Sequence, residues 1–442
     1  MIAVPAKLAG IGWFGIFRLG MVQAAIGAVV MLATSLLNRV MVVEYSMAAA
    51  IPAGLVAWHY AVQLSRPLWG HSSDRSARRS PWIIGGMGVL AVGALLAVDA
   101  TIMMSGSGLF PVILALVGFT LIGLGVGISG TALLALLASR VSVERKPAAA
   151  AISWTMMVAG IVVAAGVSGA YLDPFGEARL AIVCSLVVLI AFCVAMLALR
   201  GLEDGSVPMR IPQADGQRHS FRDALKEIWA DDQARRFTWF VFISMLAYSM
   251  QDLILEPFAG SIFKMTPGES TQLSGLQHSG ILVGMLVTGF GGSLHTRRFG
   301  QNLKLWITLG CFGSAIMLMG LSMAASVGLT WPLKANVFGL GVANGVFAVA
   351  AVGAMLGLAS DGKYAGEGAR MGVWGASQAI AFGTGGLLGA VIVDQLRNRF
   401  GQDDIAFQAV FAVEAVMFVL AALVATGTSL TRPSQIRKAV EA

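Results

Sequence analysis

Long apolar runs constrain the fold of this chain more than any other feature. Twelve stretches are long enough, at about 17–25 residues, to cross the hydrocarbon core of a bilayer as α-helices. Only 12% of the residues are charged, whereas soluble domains contain about 25%. The sequence therefore predicts an all-α integral membrane protein. The predicted spans are residues 20–43, 47–65, 82–103, 109–138, 148–171, 178–199, 237–258, 273–294, 304–325, 333–359, 371–394 and 405–428.

The distribution of basic residues predicts the orientation in the membrane. If both termini lie on one side, the termini and loops of that side hold 24 of the 30 Lys and Arg residues. The opposite loops hold four, and Arg39 and Arg179 lie within or at the edge of spans. Because basic residues concentrate in cytoplasmic loops, both termini are expected in the cytoplasm. This asymmetry accounts for the net charge of +7, which gives no support for nucleic-acid binding.

A polar segment separates six predicted spans from six others. The first residues contain Trp13 and Phe17 beside basic residues, which is typical of a helix lying in the membrane interface. The polar segment contains Ser220 and Asp223, which would cap a short amphipathic helix. The predicted organisation is an interfacial segment (1–19), a six-helix bundle (20–199), a cytoplasmic linker (200–236), a second six-helix bundle (237–428) and a cytoplasmic tail (429–442).

The loop between the second and third predicted spans carries a distinctive polar motif. It contains Gly70, Asp74, Arg75, Arg78 and Arg79. The glycine permits a tight turn, the aspartate can cap a helix or pair with a base, and the arginines favour the cytoplasmic side. This spacing resembles the corresponding loop of major facilitator transporters. The resemblance implies a fold of 12 transmembrane helices in two pseudo-symmetric halves of six.

The two halves of the chain also look like an internal repeat. Arg297 lies 222 residues after Arg75, and Trp374 lies 220 residues after Trp154. The second copy of the loop lacks the aspartate, so symmetric function of the two loops does not follow. A repeat of this length is expected when one half has been duplicated.

Ionisable residues near membrane depth are costly, and each is therefore a candidate for function. The first predicted span ends with Arg39 and Glu44, and the seventh carries Asp252 and Glu256, four residues apart on one helix face. In a facilitator fold both helices line the central cavity. Arg39 would then pair with Asp252 or Glu256 and join the halves as a gate. The alternative is that these side chains extend to the aqueous interface.

Two histidines lie at nearly equivalent depths in the repeat, His59 and His278, 219 residues apart. Neutral imidazole is a good axial ligand for the metal of a tetrapyrrole, so both are candidate pigment ligands. A hydrogen-bonded packing role is the alternative. Asn38 and Gln251 are weaker candidates for the same site. Glu414, near the middle of the twelfth span, is either a proton carrier or a protonated, hydrogen-bonded side chain.

Catalytic signatures are absent from the sequence. It has no nucleophile elbow, no clustered metal ligands and no phosphate loop in a soluble context. The three cysteines all fall in apolar spans without metal-ligand spacing and are expected to be small core residues. Glycine-rich runs at 123–127 and 383–386 lie inside spans and predict close helix contacts. We expect neither an enzyme nor a metal site.

Two further segments make the resemblance more specific. Residues 38–44, NRVMVVE, and 251–260, QDLILEPFAG, are similar to signature segments of the bacteriochlorophyll delivery family of the PucC and LhaA type. Shorter matches occur at 13–20, 66–74 and 263–273. The resemblance extends over essentially the whole chain.

This resemblance implies a protein of the cytoplasmic, photosynthetic membrane of phototrophic bacteria that assists light-harvesting complex assembly. The implied cargo is bacteriochlorophyll, handed to antenna apoproteins or shielded during assembly. The implied partners are light-harvesting apoproteins or the reaction-centre–antenna complex, membrane lipid and pigment-synthesis enzymes. Two alternatives stay open. One is a proton-coupled transporter of a small amphipathic solute, and the other is an assembly scaffold that never binds pigment.

Overall fold

The computed structural model describes residues 11–66, 69, 73, 76, 78–106, 108–141, 146–203, 229–294, 303–360 and 367–426. In these ranges the chain forms helices joined by turns and contains no β-strand. The helices are α1 (Trp13–Glu44), α2 (Ala50–Val62), α3 (Ser80–Met103), α4 (Leu109–Arg140), α5 (Lys146–Tyr171), α6 (Glu177–Leu199), α7 (Asp232–Phe263), α8 (Pro267–Leu294), α9 (Leu303–Val327), α10 (Leu333–Ser360), α11 (Glu367–Phe400) and α12 (Asp403–Thr426).

Most of these helices have the length and composition of membrane spans. In the part of the chain that the structure describes, ten helices are long and apolar enough to cross a membrane. These ten helices correspond to ten of the twelve predicted spans. The second and the eighth predicted spans have no counterpart among them. There, α2 has only 13 residues, and α8 carries polar side chains such as Gln277 and His278 in its first half. The protein is therefore a helical, multi-pass membrane protein.

Packing divides the chain into two compact units. The first unit comprises Met1–Leu37 and Val62–Gln213, and the second comprises Asn38–Ala61 and Ala214–Ala442. The end of α1 and nearly all of α2 thus belong to the second unit. The predicted domain boundaries follow membrane spans rather than packing, and they stay a prediction.

Two pairs of helices that lie six positions apart in chain order, α1 with α7 and α3 with α9, have equivalent neighbours. In the first unit α1 packs against α5 and α6, and α3 packs against α4 and α6. In the second unit α7 packs against α11 and α12, and α9 packs against α10 and α12. This correspondence is the packing expected of the internal repeat.

Two glycines allow the equivalent helix pairs to approach closely. A Cβ atom on Gly160 of α5 would overlap the carbonyl oxygen of Ala24 in α1. A Cβ atom on Gly385 of α11 would lie 2.5 Å from the carbonyl oxygen of Leu246 in α7. Backbones therefore touch directly at both contacts, as small residues permit in membrane helices. The close-packing role predicted for the run at 383–386 is confirmed at Gly385.

An aromatic cluster in the second unit holds α7 against α12. The ring of Phe258 meets the rings of Phe407 and Phe411 edge-on, with centroids 5.4 and 5.0 Å apart. All three side chains are at most 1% exposed. Edge-to-face contacts of buried aromatic rings stabilise packing beyond the area that they bury. The cluster fixes the part of α7 that carries Asp252 and Glu256.

Candidate functional site

The end of α1 departs from a regular α-helix. Leu32–Leu36 and Val40–Glu44 are π-helical turns, which are wider than α-helical ones and often occur at functional sites. They flank Asn38 and Arg39, which are 2% and 1% exposed. The side chains of both polar residues therefore lie in the protein interior. Nothing in the local sequence indicates the π-helical turns.

Asn38 satisfies a backbone carbonyl that a proline leaves free. Pro257 lies inside α7 and has no N–H, so the carbonyl of Leu253, four residues earlier, has no partner in the α-helical pattern. The Asn38 amide donates to this carbonyl, with an Nδ2 to O distance of 2.7 Å. A buried, unsatisfied carbonyl costs about 1–3 kcal/mol, so this bond stabilises the α1–α7 contact. The amide nitrogen of Asn38 therefore forms a structural hydrogen bond.

Arg39 joins the end of α1 to the turn between α7 and α8. Its guanidinium donates from Nε to Ser270 Oγ at 3.0 Å and from Nη2 to the Met265 carbonyl at 2.7 Å. Nη1 forms an ion pair with Glu44, whose side chain is 28% exposed. The turn forms because Lys264 ends α7 in a left-handed conformation, with φ of 55°. Charge-assisted bonds of this kind are the strong ones in a protein interior.

Because Gly260 has no side chain, the Arg39 guanidinium can lie close to the backbone of α7. A Cβ atom at this position would lie 3.1 Å from Arg39 Nη2 and 3.0 Å from Val43 Cγ2. The two sequence segments that carry the specific resemblance, 38–44 and 251–260, therefore contact each other in the second unit.

The predicted partners of Arg39 lie nearby, although its direct ion pair is with Glu44. Glu256 is 2% exposed, and its Oε2 accepts a hydrogen bond from Thr271 Oγ1 at 3.4 Å. Its Oε1 has no hydrogen-bond partner among the described residues. Arg39 and Asp252 both lie close enough to act electrostatically on this carboxyl. The predicted role of these charges as a gate between the two halves stays a prediction.

His278 presents one ring nitrogen to its own helix. Its Nδ1 lies 2.9 Å from the carbonyl of Ser274, which can only accept, so the proton is assigned to Nδ1. The lone pair then lies on Nε2. Asp252 lies near the ring. A histidine that ligates a metal is neutral: one ring nitrogen binds the metal, and the N–H of the second ring nitrogen is bonded to an acceptor such as a carbonyl.

The other predicted pigment ligands differ in their surroundings. His59 in α2 is 2% exposed, and its ring meets that of Tyr60 edge-on at 5.0 Å. Gln251 in α7 is 1% exposed, and in the described chain neither amide atom has a hydrogen-bond partner. Gln277, adjacent to His278, also has an amide nitrogen without such a partner. Gln277 was not anticipated, because a glutamine in a mostly polar half-helix gives no distinctive signal.

Asp394 of α11 fixes the start of α2. Its two carboxylate oxygens accept hydrogen bonds from the backbone N–H groups of Ala49 at 3.0 Å and Ala50 at 2.8 Å. These are groups that a helix leaves unsatisfied at its first turn. Asp394 and Ala50 are 344 residues apart, so no local pattern could reveal this cap.

Only part of the predicted loop motif lies in the described chain. Gly70, Asp74, Arg75 and Arg297 fall outside the described residues, as does the predicted amphipathic helix of the linker. Arg79 is 8% exposed and donates a hydrogen bond to the Ala135 carbonyl in α4. Its backbone N–H donates to Glu203 at 3.0 Å. Arg78 is exposed.

The prediction for the three cysteines is confirmed in part. Within the ranges that the structure describes, no group of three or more His, Cys, Asp or Glu side chains is placed to hold a metal ion. Cys184 and Cys311 are buried, as predicted. The prediction is wrong for Cys193, which is exposed because it lies on the outer face of α6.

Comparison with known proteins shows similarity over nearly the whole chain. A family model described as "PUCC protein" matches residues 36–432. The "Bacteriochlorophyll synthase 44.5 kDa chain" of Rhodobacter capsulatus is 46% identical over 426 residues, covering 96% of this chain and 97% of the relative. Proteins named PucC from Rhodobacter capsulatus and Cereibacter sphaeroides are 28% and 27% identical, each over 92% of this chain and 90% of the relative. The chain therefore belongs to the PucC protein family.

Proposed function

We propose that this protein binds bacteriochlorophyll as cargo in the photosynthetic cytoplasmic membrane and delivers it to light-harvesting apoproteins. Membership of the PucC family supports this role. So does the word bacteriochlorophyll in the name of a relative with 46% identity. The role is that of an assembly chaperone and not of an enzyme. Its proposed partners are antenna apoproteins or the reaction-centre–antenna complex, membrane lipid and pigment-synthesis enzymes.

The proposal includes a major facilitator arrangement of twelve membrane-spanning helices, six in each half, with both termini cytoplasmic. The equivalent packing of α1 and α7, and of α3 and α9, supports a duplicated half. The concentration of basic residues in the termini and the loops on the same side supports the orientation.

His278 is the observation that carries the pigment-binding proposal. The central magnesium of bacteriochlorophyll accepts an axial ligand, and imidazole nitrogen is a good one. The hydrogen bond from Nδ1 to the Ser274 carbonyl fixes the ring and leaves Nε2 as the ligating atom. Gln251 and Gln277 supply buried amide groups that can donate to carbonyl substituents of a macrocycle.

The hydrogen bonds from Asn38 to α7 and from Arg39 to α8 would hold these helices in place for pigment binding. Arg39 bonds Ser270 near the start of α8. His278 lies eight residues further on, which is about 12 Å along a helix. A rigid helix presenting one fixed imidazole suits a site that must bind a ring reproducibly.

The test is the absorption spectrum of the full-length protein purified gently from a pigment-making host. We expect near-infrared bacteriochlorophyll bands in stoichiometric amount, lost in His278→Ala. The matched control is Ser279→Ala, which changes the adjacent residue and should retain the pigment. His59→Ala tests the second histidine in the same assay.

Two outcomes would contradict the proposal. Pigment retained in full by both histidine variants would exclude these ligands. A colourless wild-type protein that co-isolates with antenna or reaction-centre subunits would favour the scaffold.

A proton-coupled transporter is the second candidate, and Glu414 favours it. This residue is fully buried in α12, and its two carboxyl oxygens have no partner among the described residues. Together with Asp252 and Glu256, it offers carboxyl groups at membrane depth. Solute flux in liposomes that collapses with the proton gradient, and that Glu414→Gln abolishes, would support transport.

A further inference from the structure

Three fully buried polar side chains of the second unit lie on three different helices. They are Ser314 of α9, Asn344 of α10 and Glu414 of α12. Ser314 Oγ donates a hydrogen bond to Asn344 Oδ1 at 2.7 Å. The Asn344 amide nitrogen and both Glu414 carboxyl oxygens have no hydrogen-bond partner among the described residues. Buried polar atoms without partners are rare in folded proteins, so these three atoms need an explanation.

Two contacts on either side of these residues show that α9 and α12 run antiparallel. A Cβ atom on Gly310 in α9 would lie 2.5 Å from the backbone nitrogen of Phe347 in α10. The ring centroid of Phe347 is in turn 5.6 Å from that of Phe418 in α12. Further along α9, Ser322 Oγ donates a hydrogen bond to the Gln408 carbonyl of α12 at 2.9 Å. The second contact is thus later in α9 but earlier in α12, which is the antiparallel order.

The same contacts place the three polar residues at one depth in the second unit. Ser314 and Glu414 each lie four residues from the contact at the Phe347 ring, and Asn344 lies three residues from it. These separations are about 5–6 Å along each helix. All three residues lie on the side of that contact that faces the contact at Ser322. The amide of Asn344 and the carboxyl of Glu414 are therefore inward-facing groups at the same level.

Charge balance at this depth requires a proton on Glu414. No charged side chain of the described residues lies close enough to act electrostatically on its carboxyl. A carboxylate buried without a cation is strongly disfavoured in a protein interior and in a membrane. The titratable groups nearest to its level on α7, α9, α10 and α11 are two carboxyls that lie beside residues of α8, a buried thiol, and a lysine and an aspartate near helix ends: Asp252, Glu256, Cys311, Lys334 and Asp394.

A neutral carboxyl matches the hydrogen-bonding groups of the Asn344 amide. A carboxylic acid has one O–H donor and a carbonyl acceptor, and a primary amide has two N–H donors and a carbonyl with two lone pairs. The Ser314 hydroxyl uses one lone pair of Asn344 Oδ1 and leaves the other. Two hydrogen bonds between the acid and the amide would therefore satisfy all three unpartnered atoms at once. A carboxylate has no donor and cannot form this pair.

We propose that Ser314, Asn344 and Glu414 form a proton-binding site that holds α12 against α9 and α10. The Glu414 carboxyl binds one proton, its O–H donates to Asn344 Oδ1, and Asn344 Nδ2 donates to its carbonyl oxygen. The bond from Ser314 is retained. Phe347 and Phe418 are fully buried beside the site and separate it from water. The site is independent of pigment binding, and it specifies where a proton acts on the second unit whether or not the protein transports a solute.

The first experiment is infrared spectroscopy of the full-length protein in dodecyl maltoside at neutral pH. We expect a carboxylic-acid C=O band that Glu414→Gln removes. The control Glu177→Gln, which changes an exposed carboxyl of the first unit, should retain the band. Asn344→Leu should move the band to higher frequency, because the acid carbonyl loses its hydrogen-bond donor. Asn336→Leu, the matched change at another buried asparagine of α10, should leave the band in place.

The second experiment is reversible unfolding in detergent micelles between about pH 6 and pH 8, above the range in which a free carboxyl titrates. There the unfolded chain has released the Glu414 proton, whereas the folded protein retains it. Because the folded state then binds one more proton, its stability falls as the pH rises. The unfolding equilibrium constant should therefore rise about tenfold more per pH unit in the wild type than in Glu414→Gln. Glu177→Gln should keep the wild-type slope.

Four results would overturn the proposal. Identical infrared bands in the wild type and Glu414→Gln would show that the carboxyl holds no proton. Equal pH slopes in these two proteins would lead to the same conclusion. An unmoved band in Asn344→Leu would exclude the acid–amide pair. Loss of the band when sodium replaces potassium in the buffer would show a site for a sodium ion. None of these measurements involves pigment, so their failure is distinct from a failure of the pigment-binding proposal.

Discussion

The bond from Asn38 to the Leu253 carbonyl permits a test that links two positions far apart in the sequence. Asn38→Leu removes the amide and leaves the carbonyl that Pro257 exposes without a donor. A buried carbonyl without a partner costs about 1–3 kcal/mol, and the apolar leucine recovers part of this loss. We therefore expect the free energy of unfolding to fall by about 1–2 kcal/mol.

The same substitution should cost much less when residue 257 can donate. Pro257→Ala restores a backbone N–H four residues after Leu253, which is the normal helical donor for that carbonyl. In this background Asn38→Leu should cost close to zero, so the coupling free energy of the cycle should be about 1–2 kcal/mol. Coupling of this size and sign is specific to the shared carbonyl.

The assay is reversible unfolding in mixed micelles of dodecyl maltoside and sodium dodecyl sulfate, followed by tryptophan fluorescence. Asn344→Leu is the matched control, because Asn344 is also buried and accepts a hydrogen bond from Ser314 Oγ at 2.7 Å, but in α10. Asn344→Leu should lower the free energy of unfolding by the same amount with Pro257 and with Pro257→Ala. An equal cost of Asn38→Leu in both backgrounds would refute the reasoning.

Three further substitutions test the packing and the anchors, each by unfolding in the same micelles. Gly160→Ala should destabilise the protein by about 1–3 kcal/mol because its Cβ overlaps a carbonyl, whereas Gly166→Ala, with open space around it, should be neutral; equal effects would contradict the close contact. Asp394→Ala should cost about 1–2 kcal/mol through loss of the α2 cap, and Asp99→Ala, on an exposed surface, should cost less than about 0.5 kcal/mol. Arg39→Ala should cost about 3–5 kcal/mol by leaving the acceptors around it unpaired, and Arg39→Lys should retain part of that stability; a neutral Arg39→Ala would exclude the anchor.

The helices could be predicted from sequence because membrane spanning is a local property. Length and apolar composition suffice, since a span must satisfy its own backbone hydrogen bonds. The two helices that fall short, α2 and α8, are those in which brevity or polar side chains weaken that signal. The role of Gly385 was predictable for the same reason, because a glycine run within a span has few other uses.

The partners of buried polar groups could not be predicted in the same way. The segment 38–44 and the segment 251–260 were both identified from sequence, yet their contact depends on packing. Arg39 and Glu44 pair across the π-helical turn Val40–Glu44, which no residue pattern predicts. The cap that Asp394 forms on α2 joins residues more than 300 positions apart, so only the three-dimensional fold reveals it.

The composition of the second unit has a consequence for the time course of biosynthesis. Asn38 is made 215 residues before its acceptor Leu253, which at about 5–20 residues per second means a wait of roughly 10–40 s. Throughout that interval the segment Asn38–Ala61 is in the membrane without the helices that it packs against. A fragment starting at residue 214 would contain those helices and lack the segment, so the Leu253 carbonyl and the turn after α7 would have no donors. The second unit is thus the last part of the molecule to complete its packing, although its segment Asn38–Ala61 is among the first parts of the chain to be synthesised.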